Sequence, residues 1–524
     1  MKKIFILLLS VLLAVTVIGC SGNDDTTTLG ELPTTESPSQ STTTPPDTEQ
    51  TTAAPTEEPT TEEPTTEAPT TPAPTYSVTY KATTGGYISG AAQQSGQSTS
   101  GSYTFSPVVA IASPGYVFKG WSDGKTESGR ADTLSSDKEF TAIFEIQPLS
   151  LPVFQIDTEN SEPILSREIY VKCGITVSNT EKKFLLDNEP AKVKGRGNTS
   201  WQNNKKPYNI KFDNPVDLFG NGAAKRWSII SNHTDYSLIR NYLAYSVGAE
   251  FSKLGGIGQI QFVDLYVNGQ YDGVYMICEH IEIDENRINI STSTDLDTGY
   301  IIELDGRGEG DCFAVDNKYY AMKAPDDYTK EQKNYIGMYV LDCVNALKAG
   351  DWERITSLID VESFAESYII HETHKSCDAG YASFYLIKDK GGKIQSGPMW
   401  DFDRSLGNVY NKAGSMDPNA LLASHENKWY EELLKHEEFV QLVSEKLAEY
   451  APIMEETYKK CFDYAEAHKD SFVRNDTRWG ILGKDLYPNP SNLVKIKTWQ
   501  GQVDHNKKFL EDSLKFMLET YPKN

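Results

Sequence analysis

Acidic side chains that could do chemistry stand on both sides of a predicted β-hairpin in the last third of the chain. Asp378 precedes the hairpin, and Asp401 and Asp403 follow it in the string W-D-F-D. The alternating pattern predicts the two strands at Ser383–Lys388 and Lys393–Met399. Carboxylates accept protons from hydroxyl groups and bind divalent cations, so this group indicates a chemical site. A single loop aspartate more often caps a turn, so the interpretation depends on the whole group.

The order of these residues resembles that of the catalytic groups in protein kinases. In kinases a catalytic-loop aspartate accepts the substrate proton, an amide five residues later holds a metal ion, and an aspartate beyond a short hairpin holds Mg²⁺ on the phosphates. Here Asp378, Ser383 and Asp401 occupy that order, with serine where asparagine is usual. A hydroxyl coordinates Mg²⁺ but contributes no anionic charge.

Basic residues that suit phosphate oxygens occur earlier in the chain. Arg196 lies in the string R-G-N-T-S-W between two alternating runs, and Lys205 and Lys206 follow it. Glycine lets a backbone approach a ligand closely, and guanidinium and ammonium groups bind phosphate. A Gly-Asn turn between strands explains the same string equally well.

Two other reactive residue types lie beside the acids. His371 and His374 are three residues apart, whereas the zinc-binding helical pair needs a spacing of four, so we interpret both as structural or solvated. Cys377 adjoins Asp378, but the sequence identifies no histidine and acid to activate a thiolate, which favours a structural thiol.

The N-terminus has the features of an export signal. Residues 1–20 contain two lysines, an apolar run and the lipobox-like V-I-G-C that ends at Cys20. The apolar run is too short to span a membrane, so it predicts a secretory signal with lipidation at Cys20. We therefore expect a bacterial lipoprotein on the extracellular side of the cell membrane. A cleaved signal with an incidental cysteine is the alternative.

Residues 21–75 are rich in threonine, proline and glutamate and contain no lysine or arginine. Such a composition cannot bury a core and predicts a disordered, extended stalk. The stalk acids contribute much of the net charge of −24. An acidic chain of this kind argues against nucleic acid as a partner.

Residues 76–146 change to alternating runs punctuated by glycine, which predicts a small all-β domain. The string G-Y-V-F-K-G-W-S-D-G and the closing T-A-I-F resemble the internalin-type bacterial repeat, a β-grasp-like module of surface proteins. The resemblance implies an adhesive or spacer module with Trp121 in its core.

Residues 151–524 are strand-rich in their first half and helical in their second, which predicts an α+β fold. Asn268-Gly269 between alternating runs predicts a hairpin, and Gly299–Asp305 predicts a strand with two acids on one face. Helical periodicity predicts helices at Leu238–Val247, Gln332–Leu347, Trp352–Ile359, Val361–His371, Trp429–Tyr450, Pro452–Lys469 and Ser491–Leu518.

The strings K-G-R-G-N-T-S-W, K-K-P-Y-N-I-K-F, L-Y-V-N-G-Q-Y-D-G-V-Y, Y-I-I-E-L-D and G-P-M-W-D-F-D-R-S-L-G-N occur in this order. In series they resemble the spore-coat protein H (CotH) family of atypical protein kinases. The resemblance implies a kinase-like bilobal domain with a strand-rich N-lobe and a helical C-lobe. It also implies ATP, Mg²⁺ or Mn²⁺, and transfer of the γ-phosphoryl group to serine or threonine of surface or secreted proteins.

The resemblance also implies roles for single residues. Asp378 resembles the catalytic aspartate and Asp401 the metal-binding aspartate, with Ser383 at the second metal position. Arg196 and Glu279 are assigned to the nucleotide site. Two lysines are candidates for pairing with phosphate: Lys211, on an alternating strand, and Lys206, in the family's K-K-P-Y string.

Three functions remain open at this point. The first is an exported, lipid-anchored kinase, which must find ATP outside the cell. The second is a catalytically silent kinase-fold scaffold linked to surface polysaccharide or protein assembly, which Ser383 and the stalk favour. The third is a metal-dependent hydrolase that uses Asp401, Asp403 and the histidines. The six cysteines after Cys20 show no paired spacing, so no disulfide framework is predicted.

Overall fold

The computed structural model describes residues 72–254 and 260–523. The predicted signal at 1–20, the lipidation site Cys20 and nearly all of the predicted stalk lie outside the described residues. Within them, no helix is both long enough and apolar enough to cross a membrane.

The first folded part, which we call the repeat domain, contains nine strands: Thr75–Ala82 (β1), Gly86–Ser89 (β2), Gln93–Gln97 (β3), Tyr103–Thr104 (β4), Val108–Ala112 (β5), Tyr116–Trp121 (β6), Gly129–Arg130 (β7), Thr133–Leu134 (β8) and Lys138–Ile146 (β9). The largest sheet has the order β3-β1-β9-β6. Alternate residues of β1 face a small core that contains Trp121, because successive side chains of a strand point to opposite faces. The prediction of an all-β domain with Trp121 in its core is confirmed.

A closed barrel follows the repeat domain. Its seven strands are Val153–Thr158 (β10), Val171–Ser178 (β11), Leu186–Gly195 (β12), Tyr208–Asp217 (β13), Ala223–Ile230 (β14), Gln261–Val267 (β15) and Gln270–Glu279 (β16), in the order β10-β11-β12-β13-β14-β16-β15. Parallel pairing of β10 with β15 closes it. Apolar side chains at every second position, such as Ile210 and Phe212, fill a core of their own.

The hairpin predicted at Asn268-Gly269 joins β15 to β16. Asn268 has φ 49° and Gly269 has φ 75°, the left-handed pair that a tight two-residue hairpin requires. The sequence prediction is confirmed here because the turn type is encoded by the two turn residues alone.

A second sheet follows the barrel in the chain and carries the hairpin between the acids. Its strands are Tyr300–Leu304 (β17), Cys312–Val315 (β18), Lys318–Ala324 (β19), Phe384–Lys388 (β20) and Ile394–Ser396 (β21), in the antiparallel order β18-β19-β17-β20-β21. The predicted hairpin is thus present as β20 and β21, with shorter strands than the sequence indicated.

The helices are Thr199–Gln202 (α1), Arg240–Gly248 (α2), Lys330–Ala349 (α3), Trp352–Leu358 (α4), Val361–His374 (α5), Ala423–Glu426 (α6), Lys428–Leu433 (α7), Glu437–Ala467 (α8), Lys469–Trp479 (α9), Ser491–Val494 (α10) and Trp499–Thr520 (α11), with 3-10 turns at Glu159–Ser161 and Lys182–Phe184. Helices α2 to α11 pack with the second sheet into one large core, whereas Trp201 of α1 packs on the barrel core. The strand-rich first half and helical second half agree with the predicted α+β class.

The predicted break before Pro452 is wrong. Helix α8 runs through Pro452 as one helix. Proline removes a hydrogen bond inside a helix, but α8 buries residues on both sides of it, including Leu447 and Met454. Packing on the core therefore outweighs the local cost.

Candidate active site

A cleft of about 640 Å³ lies between the barrel and the second sheet. The barrel side contributes the end of β12 and the loop that follows it, with Arg196 and Gly197. The other side contributes the segments that flank β20 and β21. Asp378, Asp401 and Asp403 all line this cleft, and we call these three residues the acid cluster.

Local backbone geometry places each member of the acid cluster. Helix α5 ends in a left-handed residue, Lys375, and the next turn carries Asp378. Asp401 is also left-handed, with φ 65°, and its N–H donates to the Tyr245 hydroxyl at 2.9 Å. The Thr234 hydroxyl donates to the Asp403 carboxylate at 3.0 Å. Left-handed non-glycine residues cost free energy and concentrate at functional sites.

The acid cluster carries more negative charge than its surroundings offset. Burial and the neighbouring Asp401 raise the pKa of Asp403 to about 7, against the opposing effect of Arg404. Burial and Asp401 also raise the pKa of Asp378. The guanidinium of Arg404 lies 3.8 Å from the Asp378 carboxylate. Three carboxylates with one adjacent guanidinium form a site that favours protons or cations.

Ser383 connects the acid cluster to the second sheet. Its hydroxyl donates to Asp401 at 3.1 Å, and its N–H donates to Glu303 at 3.0 Å. The other oxygen of Glu303 accepts from Lys323 Nζ at 2.8 Å. Ser383 itself is left-handed, with φ 59°. The structure therefore brings the predicted metal residues Ser383 and Asp401 together.

Glu303 and Lys323 line the cleft but were not assigned to a site from the sequence. One signal existed for the glutamate, since the strand around Glu303 and Asp305 was predicted to carry two acids on one face. Both acids do line the cleft. No sequence signal singled out Lys323.

Of the predicted nucleotide-binding residues, Arg196 reaches the cleft. Its guanidinium lies 5.4 Å from the centre of the Trp400 ring, which also lines the cleft. A cation over an aromatic face is held in place electrostatically. Lys194, at the end of β12, lines the cleft as well.

The other three predicted nucleotide-binding residues do not line the cleft. Lys206 Nζ donates to the carbonyl of Trp201 at 2.6 Å, and Lys211 is exposed on the outer face of β13. Glu279 is buried and accepts from Arg287 at 3.0 Å. These placements do not support the assignment of the three residues to phosphate or nucleotide.

Lys205, next to Lys206, is fully buried. Its Nζ donates to the carbonyl of Val274 at 2.5 Å, and burial lowers its pKa to about 7. It is therefore directed into the protein and away from the cleft.

The histidines and the cysteine beside the acids are structural. His371 stacks on Phe402 at 5.0 Å between ring centres, and burial lowers the pKa of His371 to about 3 and that of His374 to about 4. Burial raises the pKa of the Cys377 thiol well above its usual value, which keeps the thiol protonated. The six cysteines from Cys173 to Cys461 lie buried as thiols.

The histidines named for the hydrolase lie apart from the acid cluster. Within residues 72–254 and 260–523, no group of three or more His, Cys, Asp or Glu side chains is arranged to hold a metal ion by itself. His371 and His374 do not line the cleft that contains the acid cluster.

The fold and the cleft define an α+β protein with an acid cluster between a closed barrel and a sheet packed on helices. A family model described as CotH kinase protein matches residues 193–517, and a model described as Divergent InlB B-repeat domain matches residues 76–148. No curated protein matches the chain significantly. Because the first model covers more than half of the chain, the protein belongs to the CotH kinase protein family.

Proposed function

We propose that this protein is an exported, lipid-anchored kinase that transfers the γ-phosphoryl group of ATP to serine or threonine of surface or secreted proteins. The observation that supports it best is the acid cluster in a cleft that also contains Arg196 and Lys323. In this proposal the barrel acts as the N-lobe and the helical half as the C-lobe of a bilobal kinase.

The acid cluster fits a divalent cation. Magnesium is usually held by one or two carboxylates together with water and substrate phosphates, so a complete cage of protein ligands is not needed. Burial and the neighbouring Asp401 raise the pKa of Asp403, which supports a site that gains from a nearby cation. When bound, Mg²⁺ or Mn²⁺ neutralises charge on the phosphate oxygens. Asp401 and Ser383 would hold it.

Asp378 orients the acceptor hydroxyl and accepts its proton. A general base works best when its pKa approaches the operating pH, and the pKa of Asp378 is raised. The Arg404 guanidinium, 3.8 Å from the Asp378 carboxylate, stabilises the ionised form of that carboxylate. Arg196 provides positive charge for the nucleotide phosphates from the opposite side of the cleft.

Direct transfer is the first test. The full chain is incubated with γ-labelled ATP and Mg²⁺ or Mn²⁺, and label on protein is measured together with thermal stability. Nucleotide at one hundred times its dissociation constant should stabilise the fold by about 2.7 kcal/mol. No thermal shift at millimolar nucleotide would exclude the kinase.

A second function, a catalytically silent scaffold for surface polysaccharide or protein assembly, is favoured by two observations. Ser383 replaces the usual amide, and neither Lys206 nor Lys211 lines the cleft. The same experiment separates the two functions, since a scaffold that binds nucleotide shows a thermal shift without transfer of label.

The proposed lipid anchoring of the protein to the membrane is tested separately. Cys20→Ser should release the protein from the membrane fraction into the medium, because acyl chains attached at this residue would anchor it. Cys461→Ser, which changes a buried thiol far along the chain, is the matched control and should remain membrane-bound. An unchanged distribution of Cys20→Ser would reject lipid anchoring.

A further inference from the structure

A second cavity, of about 220 Å³, lies behind the active-site cleft. Leu304, Tyr320, Val344, Leu347 and Trp429 give it an apolar floor. The charged side chains of its wall are three lysines and two acids: Lys318, Lys348, Lys428, Asp316 and Glu432. We call it the rear pocket.

The rear pocket and the cleft share the strand β17 as a wall. Leu304 faces the rear pocket, whereas its neighbours Glu303 and Asp305 face the cleft. Side chains alternate between the two faces of a strand, so the two spaces lie on opposite faces of the second sheet. They also share the loop after α5, where Gly380 lines the rear pocket and Asp378 lines the cleft.

The lysines of the rear pocket differ in their partners. Lys348 pairs with Asp316, and Lys428 pairs with Glu431 at 2.5 Å. Lys318 Nζ instead donates to the carbonyl oxygen of Gly380 at 3.3 Å. Its positive charge therefore meets a neutral carbonyl, which leaves room for a stronger, anionic partner.

The geometry points to a binding site for a small amphipathic carboxylate in the rear pocket. The acid group pairs with Lys318, and the apolar body packs on Trp429, Val344 and Leu347. The cavity is smaller than the roughly 300–1,000 Å³ of drug-sized sites, which suits a molecule of about the size of phenylacetate.

A ligand in the rear pocket would affect the loop that carries Asp378, because Lys318 contacts Gly380 of that loop. Lys318 Nζ has three N–H donors and contacts the Gly380 carbonyl with one of them. A carboxylate that pairs with Nζ draws the ammonium group towards itself and so changes its contact with Gly380. The N–H groups of Tyr381 and Ala382 both donate to the Asp378 carbonyl, at 2.8 and 2.9 Å. Hydrogen exchange at these two amides therefore reports a change in the loop that carries Asp378.

Binding is tested on the full chain without nucleotide, so the result does not depend on the proposed kinase activity. Phenylacetate, its uncharged analogue phenylacetamide and inorganic phosphate are titrated by calorimetry. Phenylacetate should bind at least tenfold more tightly than either of the other two. It should also change hydrogen exchange at Tyr381 and Ala382.

Two variants locate the site. Lys318→Gln should weaken phenylacetate at least tenfold, and Val344→Phe, which fills the pocket from α3, should abolish binding. Lys390→Gln is the matched control, since Lys390 is an exposed lysine paired with Asp295, and it should bind as the wild type does. Failure of phenylacetate to bind, equal binding of the amide, or full affinity in either Lys318→Gln or Val344→Phe overturns the assignment.

Discussion

Carboxylates shielded from solvent occur both in the repeat domain, where Asp132 is buried, and in the cleft, where the acid cluster is half-buried, but their partners differ. In the repeat domain, buried Arg130 donates to Asp132 at 2.7 and 2.8 Å and to Asp123 at 3.0 and 3.1 Å. Lys125 and Tyr80 also donate to Asp132. Burial alone would raise the pKa of Asp132, but these hydrogen bonds lower it to about 2.

The cleft has the opposite balance, since burial and Asp401 raise the pKa of Asp403 to about 7. A buried carboxylate with matched donors is part of the fold, whereas one left under-compensated in a cleft is a candidate for function. The difference marks the acid cluster as the candidate for binding an added proton or cation.

The largest expected effect comes from removing charge from the acid cluster. Asp378→Asn should slow phosphoryl transfer by about a hundred- to ten-thousand-fold. It should change nucleotide affinity by less than about tenfold, because in the proposed mechanism Asp378 acts on the acceptor hydroxyl. Asp401→Asn should weaken metal-dependent nucleotide binding and transfer together. Calorimetry and labelled ATP measure the two quantities.

The exposed Asp295→Asn is the control for both variants, and it should leave binding and transfer unchanged. Equal loss of nucleotide in Asp378→Asn and Asp401→Asn would contradict this division of roles. No change in either would make the acid cluster structural, like the acids of the repeat domain.

Removing the buried cation of the repeat domain tests the other side of the comparison. Arg130→Met leaves Asp123 and Asp132 without their main donor, and breaking a buried pair typically costs about 3–5 kcal/mol. Limited proteolysis of the full chain should then cleave within 76–146. Lys119→Met breaks only an exposed pair with Glu145 and should cost less than about 1 kcal/mol. Equal resistance of both variants would show that Arg130 is not needed for the fold.

Asp403→Asn should stabilise the protein at high pH, whereas Arg130→Met should destabilise it. The pKa of Asp403 is about 7 in the folded protein and about 3.9 when unfolded. The folded state therefore binds the extra proton between about pH 4 and 7, and the free energy of unfolding falls as pH rises through this window. Above pH 7 the carboxylate of Asp403 is ionised in both states, and the loss of folding free energy caused by its burial is complete.

Asparagine carries no charge and so removes that loss of folding free energy. Metal-free Asp403→Asn should therefore be more stable than the wild type at pH 8 by roughly 1–3 kcal/mol, because one pKa unit corresponds to about 1.4 kcal/mol. Solvent in the open cleft reduces the full value. At pH 4 the two should unfold alike. Denaturant unfolding at both pH values measures this. Asp132→Asn, in the repeat domain, should instead lower the free energy of unfolding. A lower free energy of unfolding for Asp403→Asn than for the wild type at pH 8 would contradict the difference between the two regions.

The smallest effects are expected outside the cleft. Lys206→Met and Lys211→Met should each change nucleotide affinity by less than about twofold, because neither residue lines the cleft. Arg196→Met is the positive comparison, and calorimetry with Mg²⁺ and nucleotide should show weaker binding. A tenfold loss in either lysine variant would restore the sequence-based assignment.

The sequence predicted those features that depend on neighbouring residues. The turn at Asn268-Gly269 and helices α3, α4 and α5 lie where turn chemistry and periodicity placed them. The order of the acids along the chain also identified Asp378 and Asp401 together, because a short hairpin is the only structure between them.

Other features depend on contacts between distant strands. The link from Lys323 through Glu303 to Ser383 requires the register of β17 with both β19 and β20, which spacing along the chain does not show. Lys211 could have been excluded, since Ile210 and Phe212 on either side of it are core residues. A lysine between two inward-facing positions of a strand must point outward.

The way the barrel closes sets the order in which the chain completes its parts during synthesis. The strands of the repeat domain pair only with one another, so this domain is complete once residue 146 has been made. Strand β10 instead pairs with β15, whose first residue is Gln261. Until then β10 and β14 are the open edges of a five-stranded sheet, and open edges pair readily with other chains. A nascent chain that stalls before Gln261 therefore carries a complete repeat domain joined to an open five-stranded sheet that is prone to aggregate.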